Sequence, residues 1–333
     1  MTIRIAINGF GRIGRLVFRI AAEDKNIEIV HINDLFPAQT LAHLLKYDSA
    51  HGRFAHKVSL DGDTLNTLHH KVGISAIKNI NELPWKDKGV DVVIESTGVF
   101  RSRAKLVPHM EAGAKRVLLT VPADDEIDAT LVFGVNENDL KAEHRIVSNA
   151  SCTTNCVAQL AKVMHDTFGI QSALMTTIHA YTNDQQVADV GHKDLRRSRA
   201  AAQNIIPTTT GAAKTVGKVN TALKGKIDGM AFRVPVLCGS VTDLTLNTEK
   251  DVTKESINAA FKAAAAKLPR VLEYTEDPIV SSDIVHNENS CIFDAAATQV
   301  LGNRMAKIVG WYDNEWGYSS RVVDLIRKMG ALA

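Results

Sequence analysis

No stretch of the 333 residues is apolar for long enough to cross a bilayer as a helix, which sets aside the helical membrane-protein classes. Cysteine is scarce. The four thiols, at positions 152, 156, 238 and 291, cannot build the dense framework of a small secreted domain, so free thiols are expected. No CxxC or HExxH spacing occurs, and Cys152 with Cys156 does not complete a zinc site, so no metal is expected. Charge of one sign is not in excess either: Lys+Arg 39 against Asp+Glu 37 leaves +2. Such a balance makes no global field for nucleic acid or anionic lipid, and any anion recognition must be local. Aromatic residues are 5% of the chain, and the basic run His192 to Arg199 has none interleaved, which argues against nucleic acid as the primary partner. Repeats, low-complexity tracts and Pro/Gly-rich linkers are missing too. The first residues, MTIRIAINGF, lack the apolar core and cleavage site of a signal peptide, so a cytoplasmic location is expected.

What the chain does have is length and a regular alternation of apolar patterns. A chain of 333 residues is long for a single core and predicts two domains. Ile3 to Ile7 reads as a strand, Asn8-Gly9 as a turn and Ile13 to Ala22 as a helix, with a second strand over Ile27 to Ile32. Strands at Val90 to Glu95 and Arg116 to Thr120, separated by a helical stretch from Ala104 to Gly113, continue the pattern. Strands alternating with helices imply a doubly wound parallel sheet, assigned to residues 1–150. Beyond it a helix to about Phe168 precedes longer runs at Ser172 to His179, Met230 to Pro235 and Ser240 to Asn247, which read as an antiparallel sheet in residues 151–314. Asp251 to Lys267 reads as a covering helix capped near Asp251 or Thr253. The helical pattern in 315–333 is expected to pack back onto the first domain.

Gly9-Phe10-Gly11-Arg12-Ile13-Gly14 is a GxGxxG between a strand and a helix, with Asp34 twenty residues beyond Gly14. Alone the motif is as often a flexible turn; this context favours a dinucleotide. Gly9 permits the tight turn, Gly11 lets backbone amides approach a pyrophosphate, Gly14 allows close helix packing, and Asp34 accepts the ribose hydroxyls. An acidic residue there repels the 2′-phosphate of NADP, and Leu35-Phe36-Pro37 supplies no Arg to receive it, so NAD is favoured. Thr97 and Thr120 stand at the ends of later strands, where such sheets bind ligands, although strand-end turns are also common for structural reasons.

Cap-forming Ser148 to Ser151 followed by the apolar run Val157 to Val163 puts Cys152 at a helix N-terminus, where the macrodipole and unpaired amides favour a thiolate. A lone cysteine is more often a small buried hydrophobe; position is what singles out Cys152, while Cys156, one turn on, reads as structural. His179, ending an apolar run and followed by Tyr181-Thr182-Asn183-Asp184, is the candidate base. Pro207 to Lys214 offers hydroxyls and amides before a helix, which suits a phosphate. Arg233, a charge inside an apolar run, needs either an anionic ligand or a salt bridge.

Seven motifs in order carry a resemblance: INGFGRIGR from Ile7, IND from Ile32, SNASCTTNC from Ser148, HAYTNDQ from His179, HKDLRRSRAAAQNIIPTTTGAAK from His192, GMAFRVP from Gly229 and WYDNEWGYS from Trp311. From end to end the chain resembles phosphorylating glyceraldehyde-3-phosphate dehydrogenase. The resemblance implies a Rossmann-type NAD-binding domain with an α+β catalytic domain, and oxidation of glyceraldehyde 3-phosphate through a thioester on Cys152, with His179 as base and inorganic phosphate as acceptor. It implies that Thr182 and Arg233 hold the substrate phosphate. Ser151, Thr153, Thr210 and Gly211 would hold the attacking phosphate, with Arg197 serving both. Asn314 would orient the nicotinamide, and Gly9, Arg12, Ile13 and Asp34, with Lys78 at the adenine position, complete the cofactor site. A cytoplasmic homotetramer is implied as well.

Three stretches depart from the family pattern. Val190-Gly191 replaces the Leu-Pro that accompanies strict NAD use, which leaves room for some NADP activity. Lys78-Asn79-Ile80-Asn81 stands where an Arg-Asp-Pro segment is common. Asp125 to Gly134 resembles the related erythrose-4-phosphate dehydrogenases and makes that aldehyde the alternative substrate; a cofactor-sensing binding protein is the alternative of another class.

Overall fold

The computed structural model describes residues 2–332. The chain divides into two compact units: one takes in the chain up to Leu131, Glu137–Ala150 and everything from Ser319 onward, the other Val132–Asn136 and Ser151–Tyr318. Seven α-helices occur among the described residues: α1 (Arg12–Ala21), α2 (Ala38–Lys46), α3 (Arg103–Glu111), α4 (Cys152–Phe168), α5 (Ala212–Val219), α6 (Lys254–Lys267) and α7 (Trp316–Ala331).

The first unit is built on a nine-stranded sheet in the order 129–130, 146–148, 116–119, 92–95, 3–8, 27–33, 70–75, 64–67, 59–61. Its first seven strands run parallel; the last two form an antiparallel hairpin at the edge. Parallel strands covered on both faces need near-continuous apolar residues, and Ile5, Ile7, Ile32, Val93, Ile94 and Leu118 are all fully buried. Strand order reverses at Ile3–Asn8, which pairs with Ile27–Asn33 on one side and Val92–Glu95 on the other. At such a switch point the strands' carboxyl ends open a crevice. From Ser319 onward α7 belongs to this unit, with Arg327 Nε donating to Asp24 Oδ2 at 2.6 Å.

The second unit holds a seven-strand path in the order 206–209, 227–234, 170–180, 240–248, 305–312, 291–294, 272–275. It is mostly antiparallel, but Ile170–Ala180 pairs in parallel with Ile227–Val234, and Leu272–Thr275 with Cys291–Asp294. The sequence reading took the first of these pairs as antiparallel. Between the two strands lie a long loop, the Ile206–Thr209 strand and α5, enough chain for the crossover that parallel pairing requires. Helix α4 lies against this sheet, with Cys156 Sγ 3.6 Å from the Gly310 carbonyl of the Met305–Tyr312 strand. Thr253 caps α6 in a reciprocal capping box with Ser256, and Phe261 of that helix stacks on Phe293 of the sheet at 3.8 Å.

Candidate active site

In the first unit the parallel strands end at a cavity of about 360 Å³ lined by Gly9, Gly11, Asp34, Lys78, Thr97 and Phe100 among others. Local chemistry shapes its floor. Gly9 has φ +90°, and a Cβ there would stand 2.6 Å from the Thr97 amide; a Cβ on Gly14 would stand 2.2 Å from the Gly9 carbonyl. Glycine is therefore required at both positions for the loop and helix to approach so closely. A Cβ on Gly11 would meet nothing within 4 Å, so that side of the loop faces open space. Gly11 is the N-cap of α1, with no side-chain cap and no acidic residue in the first turn, leaving the helix amides for an anion. Asp34 Oδ2 accepts from the Phe10 amide at 2.6 Å and ties the glycine loop to the second strand. The cavity, the cramped glycines and the acidic strand end fit a dinucleotide.

The other residues singled out for this site stand differently. Arg12 and Ile13 form the first turn of α1, and the Arg12 guanidinium pairs with Asp48 at 2.5 Å. Thr120 does not line the cavity; buried, it donates its hydroxyl to the Glu95 carbonyl at 3.1 Å. Asn314 lies in the second unit, where Gly239 N (3.1 Å) and Ser240 Oγ (3.0 Å) both donate to its Oδ1. That pair fixes the amide's orientation and turns Nδ2 into the end presented for donation.

In the second unit Ser151 caps α4, accepting from the Thr154 amide at 3.0 Å, and Cys152 is the first helical residue. Cys152 Sγ lies 3.4 Å from His179 Nε2, delivered by the end of the Ile170–Ala180 strand. His179 Nδ1 has two neighbours, the Ala180 carbonyl at 2.6 Å, which can only accept, and Arg233 Nη1, which can only donate; with the ring proton on Nδ1 and given to the carbonyl, the Nε2 lone pair faces the sulfur. Arg233 Nη1 sits 2.7 Å from Nδ1 and donates to the Ala180 carbonyl at 3.0 Å.

Burial holds His179 far below the usual imidazole range, at about 3, with the positive charges of Arg233 and Arg197 adding to the effect. For Cys152 burial pushes the thiol up, opposed by Arg233 and the amide hydrogen bonds at the helix start. Desolvation thus works against the thiolate that the helix terminus favours and against the imidazolium, while Arg233 and the helix-start amides work for the thiolate. The arrangement suits a nucleophile with a base in contact.

Around this pair Arg197 is braced by Asp184 and by Thr208 Oγ1 at 2.9 Å. Among the described residues Arg233 makes no salt bridge: its charge faces His179 and a carbonyl, and its buried Nε has no partner there, a donor left for an anion. Thr182 sits in a turn closed by the Gln185 amide at 2.9 Å. Thr210 Oγ1 accepts from Ala212 N at 3.2 Å, and Gly211 is the N-cap of α5. The Thr153 hydroxyl is buried against Tyr312 Oη at 3.0 Å. Tyr312 also meets Thr177 Oγ1 at 2.8 Å and sets its ring edge-on to His179 at 5.9 Å. Ser240 Oγ, besides donating to Asn314, accepts from Ala180 N at 3.1 Å. Sequence reading assigned no role to Tyr312 or Ser240; an aromatic inside WYDNEWGYS was the only hint of the first, and a strand serine signals nothing.

Comparison with known proteins adds to this geometry. Residues 3–103 match the family described as glyceraldehyde 3-phosphate dehydrogenase, NAD binding domain, and residues 151–314 match the C-terminal domain of the same enzyme. The chain is 56% identical over 328 residues to glyceraldehyde-3-phosphate dehydrogenase 2 of Streptomyces avermitilis, covering 98% of each. It is 55% identical to the glyceraldehyde-3-phosphate dehydrogenase of Borreliella burgdorferi, covering 98% of this chain and 99% of the relative, and 53% identical to that of Geobacillus stearothermophilus, covering 98% and 97%. With an NAD-binding domain in the first unit and a cysteine–histidine pair in the second, the chain belongs to the glyceraldehyde-3-phosphate dehydrogenase family.

Proposed function

We propose that the protein oxidises D-glyceraldehyde 3-phosphate to 1,3-bisphosphoglycerate with NAD and inorganic phosphate, through a thioester on Cys152. The observation that carries this reading is the contact of Cys152 Sγ with a neutral His179 Nε2 at 3.4 Å. As sulfur attacks the aldehyde carbon its proton passes to Nε2, and the imidazolium returns it to the new oxyanion, giving a hemithioacetal. His179 then withdraws the hydroxyl proton while the carbon loses hydride, leaving the thioester. Bound NAD supplies the hydride acceptor for that step. Phosphate adds to the thioester carbonyl, the sulfur leaves, and the imidazolium proton restores the thiol.

Arg233, with its unpartnered Nε, and Thr182 hold the substrate's phosphate; Arg197, Thr210, Gly211, Ser151 and Thr153 surround the attacking one. Of these, Ser151 and Thr153 also hold α4 and Tyr312, so they position Cys152 as well as receive phosphate. Gly9, Gly11, Arg12, Ile13, Gly14, Asp34, Lys78, Thr97 and Thr120 serve the coenzyme in the first unit, and in the second Asn314 is the residue for the nicotinamide amide. A homotetramer is the assembly we propose. What supports association is the exposure of large apolar residues on the second unit, including Leu174, Val187, Leu195 and Ile205. The cytoplasm is the proposed location.

Initial rates of NADH formation test the reading, with and without inorganic phosphate, with both aldehydes and both coenzymes. Phosphate-dependent oxidation of glyceraldehyde 3-phosphate with NAD is expected. Rates that ignore phosphate, or that favour erythrose 4-phosphate, would overturn it. Cys152→Ser should abolish oxidation while retaining NAD binding; substantial residual turnover would sink the covalent route.

A further inference from the structure

Below the coenzyme cavity the first unit contains a connected set of buried and half-buried polar side chains, of which the site proposed above uses only Thr97. Glu95 is its centre. It ends the Val92–Glu95 strand, is fully buried, and receives four hydrogen bonds. Oε2 accepts from Asn8 Nδ2 at 2.6 Å and from His109 Nε2 at 3.0 Å; Oε1 accepts from the Thr97 amide at 2.9 Å and from the Thr97 hydroxyl. Behind it Trp85 Nε1 donates to His109 Nδ1 at 3.0 Å. An indole N–H can only donate, so this contact dictates the tautomer: Nδ1 accepts, and Nε2 carries the proton given to Glu95.

The set continues through Asn8. Its Oδ1 accepts from Asn33 Nδ2 at 2.8 Å, while Asn33 Oδ1 accepts from Ser75 Oγ and from the Ile77 amide, each at 2.9 Å. Ser75 Oγ in turn takes the proton of His31 Nε2 at 2.9 Å, and the His31 ring stands edge-on to Trp85 at 5.8 Å.

These residues share one place in the topology. Asn8 and Glu95 are the last registered pair between the first strand and its neighbour on one side, and Asn8 and Asn33 the last on the other. Asn33 and Ser75 are the last pair of the next ladder out. Beyond each strand end the backbone lines the cavity, at Gly9, Asp34, Lys78 and Thr97. Backbone bonds run one step beyond these pairs, from Gly9 N to the Asn33 carbonyl, from Ser96 N to that of Asn8 and from Asp34 N to that of Ser75, and the side chains add a second set of ties at the same level. Burying a carboxylate, two amides and two imidazoles is costly, and apolar residues would pack these positions without that desolvation. What the polar set adds is directional restraint on four strand ends.

We propose that Glu95, fixed from behind by His109 and Trp85, is a positioning residue of the coenzyme site, holding Asn8 and Thr97 so that the cavity is pre-formed for the dinucleotide. This rests on the coenzyme reading above. Equilibrium titration with NAD tests it without turnover. Glu95→Gln keeps the volume but turns one acceptor into a donor, so one of the two donor pairs faces an NH2 group. The dissociation constant for NAD is expected to rise about tenfold or more, the KM for NAD with it, and kcat at saturating NAD to stay within about twofold.

Trp85→Phe, which frees the His109 tautomer at a residue that does not itself line the cavity, should raise the dissociation constant a few-fold, and it carries the test if Glu95→Gln does not fold. Unchanged NAD affinity in the folded variant, even with a lower melting temperature, would overturn the proposal, as would a fall in kcat at unchanged affinity. Failure of the native protein to bind NAD would instead remove the coenzyme reading itself.

Discussion

The His179 imidazole is held between two demands: Nδ1 is tied to the Ala180 carbonyl, and Nε2 is kept for Cys152. Replacement by Asn keeps a hydrogen bond to the backbone but removes the base, so His179→Asn should lower kcat by a hundredfold or more in steady-state assays. The same burial governs stability in acid. The unfolded chain protonates histidine near pH 6.5, whereas folded His179 does so only near 3 and His31 near 4. The unfolded state therefore binds more protons in between. Stability from these rings is whole above about pH 6.5 and is lost as pH falls toward 3 and 4, by about 1.4 kcal/mol per pH unit for each ring. Calorimetry at pH 7, 6 and 5 should show a falling melting temperature, less steeply in His179→Asn. Cys152 and His179 were legible as residues from their places in the sequence; their protonation states were not, because desolvation depends on what packs around them.

At the scale of elements, the opening strand, glycine turn and α1 do most to build the coenzyme site. A Cβ on Gly14 would meet the Gly9 carbonyl at 2.2 Å, so Gly14→Ala must push α1 off the loop. We expect this variant to lose NAD affinity by more than tenfold and about 1–3 kcal/mol of stability, checked by titration and denaturant unfolding. Where periodicity was read, the elements follow it, as α4 running to Phe168 and α6 capped by Thr253 show, but α2 and the strands at 59–75 and 272–312 carried no pattern that was read. Strand direction does not follow it. Ile170–Ala180 and Ile227–Val234 have the apolar runs of any sheet strand, and their parallel pairing comes from the intervening crossover. Arg233 likewise looked equally suited to a salt bridge or a ligand, and its neighbours, His179 and the Ala180 carbonyl, came into view only with the pairing of the two strands.

For the molecule as a whole, ligand binding should register as stability. A ligand that binds only the folded chain at a hundred times its dissociation constant adds about 2.7 kcal/mol. Thermal unfolding should therefore shift upward with NAD, and less with NADP at equal concentration because Asp34 stands where a 2′-phosphate would come. Equal shifts would mean that Val190-Gly191 reports a relaxed coenzyme preference. By itself the sequence determined the alternation of strands and helices, the glycines that no other residue can replace, and the cysteine at a helix start, since these depend on neighbours along the chain. Only the tertiary structure decided that Tyr312 and Ser240 brace His179 and Asn314, that burial opposes the helix dipole at the Cys152 thiol, and that Glu95 gathers four donors under the cavity. Those contacts join residues far apart in the chain, and burial and hydrogen-bond partners come into being only when distant strands meet.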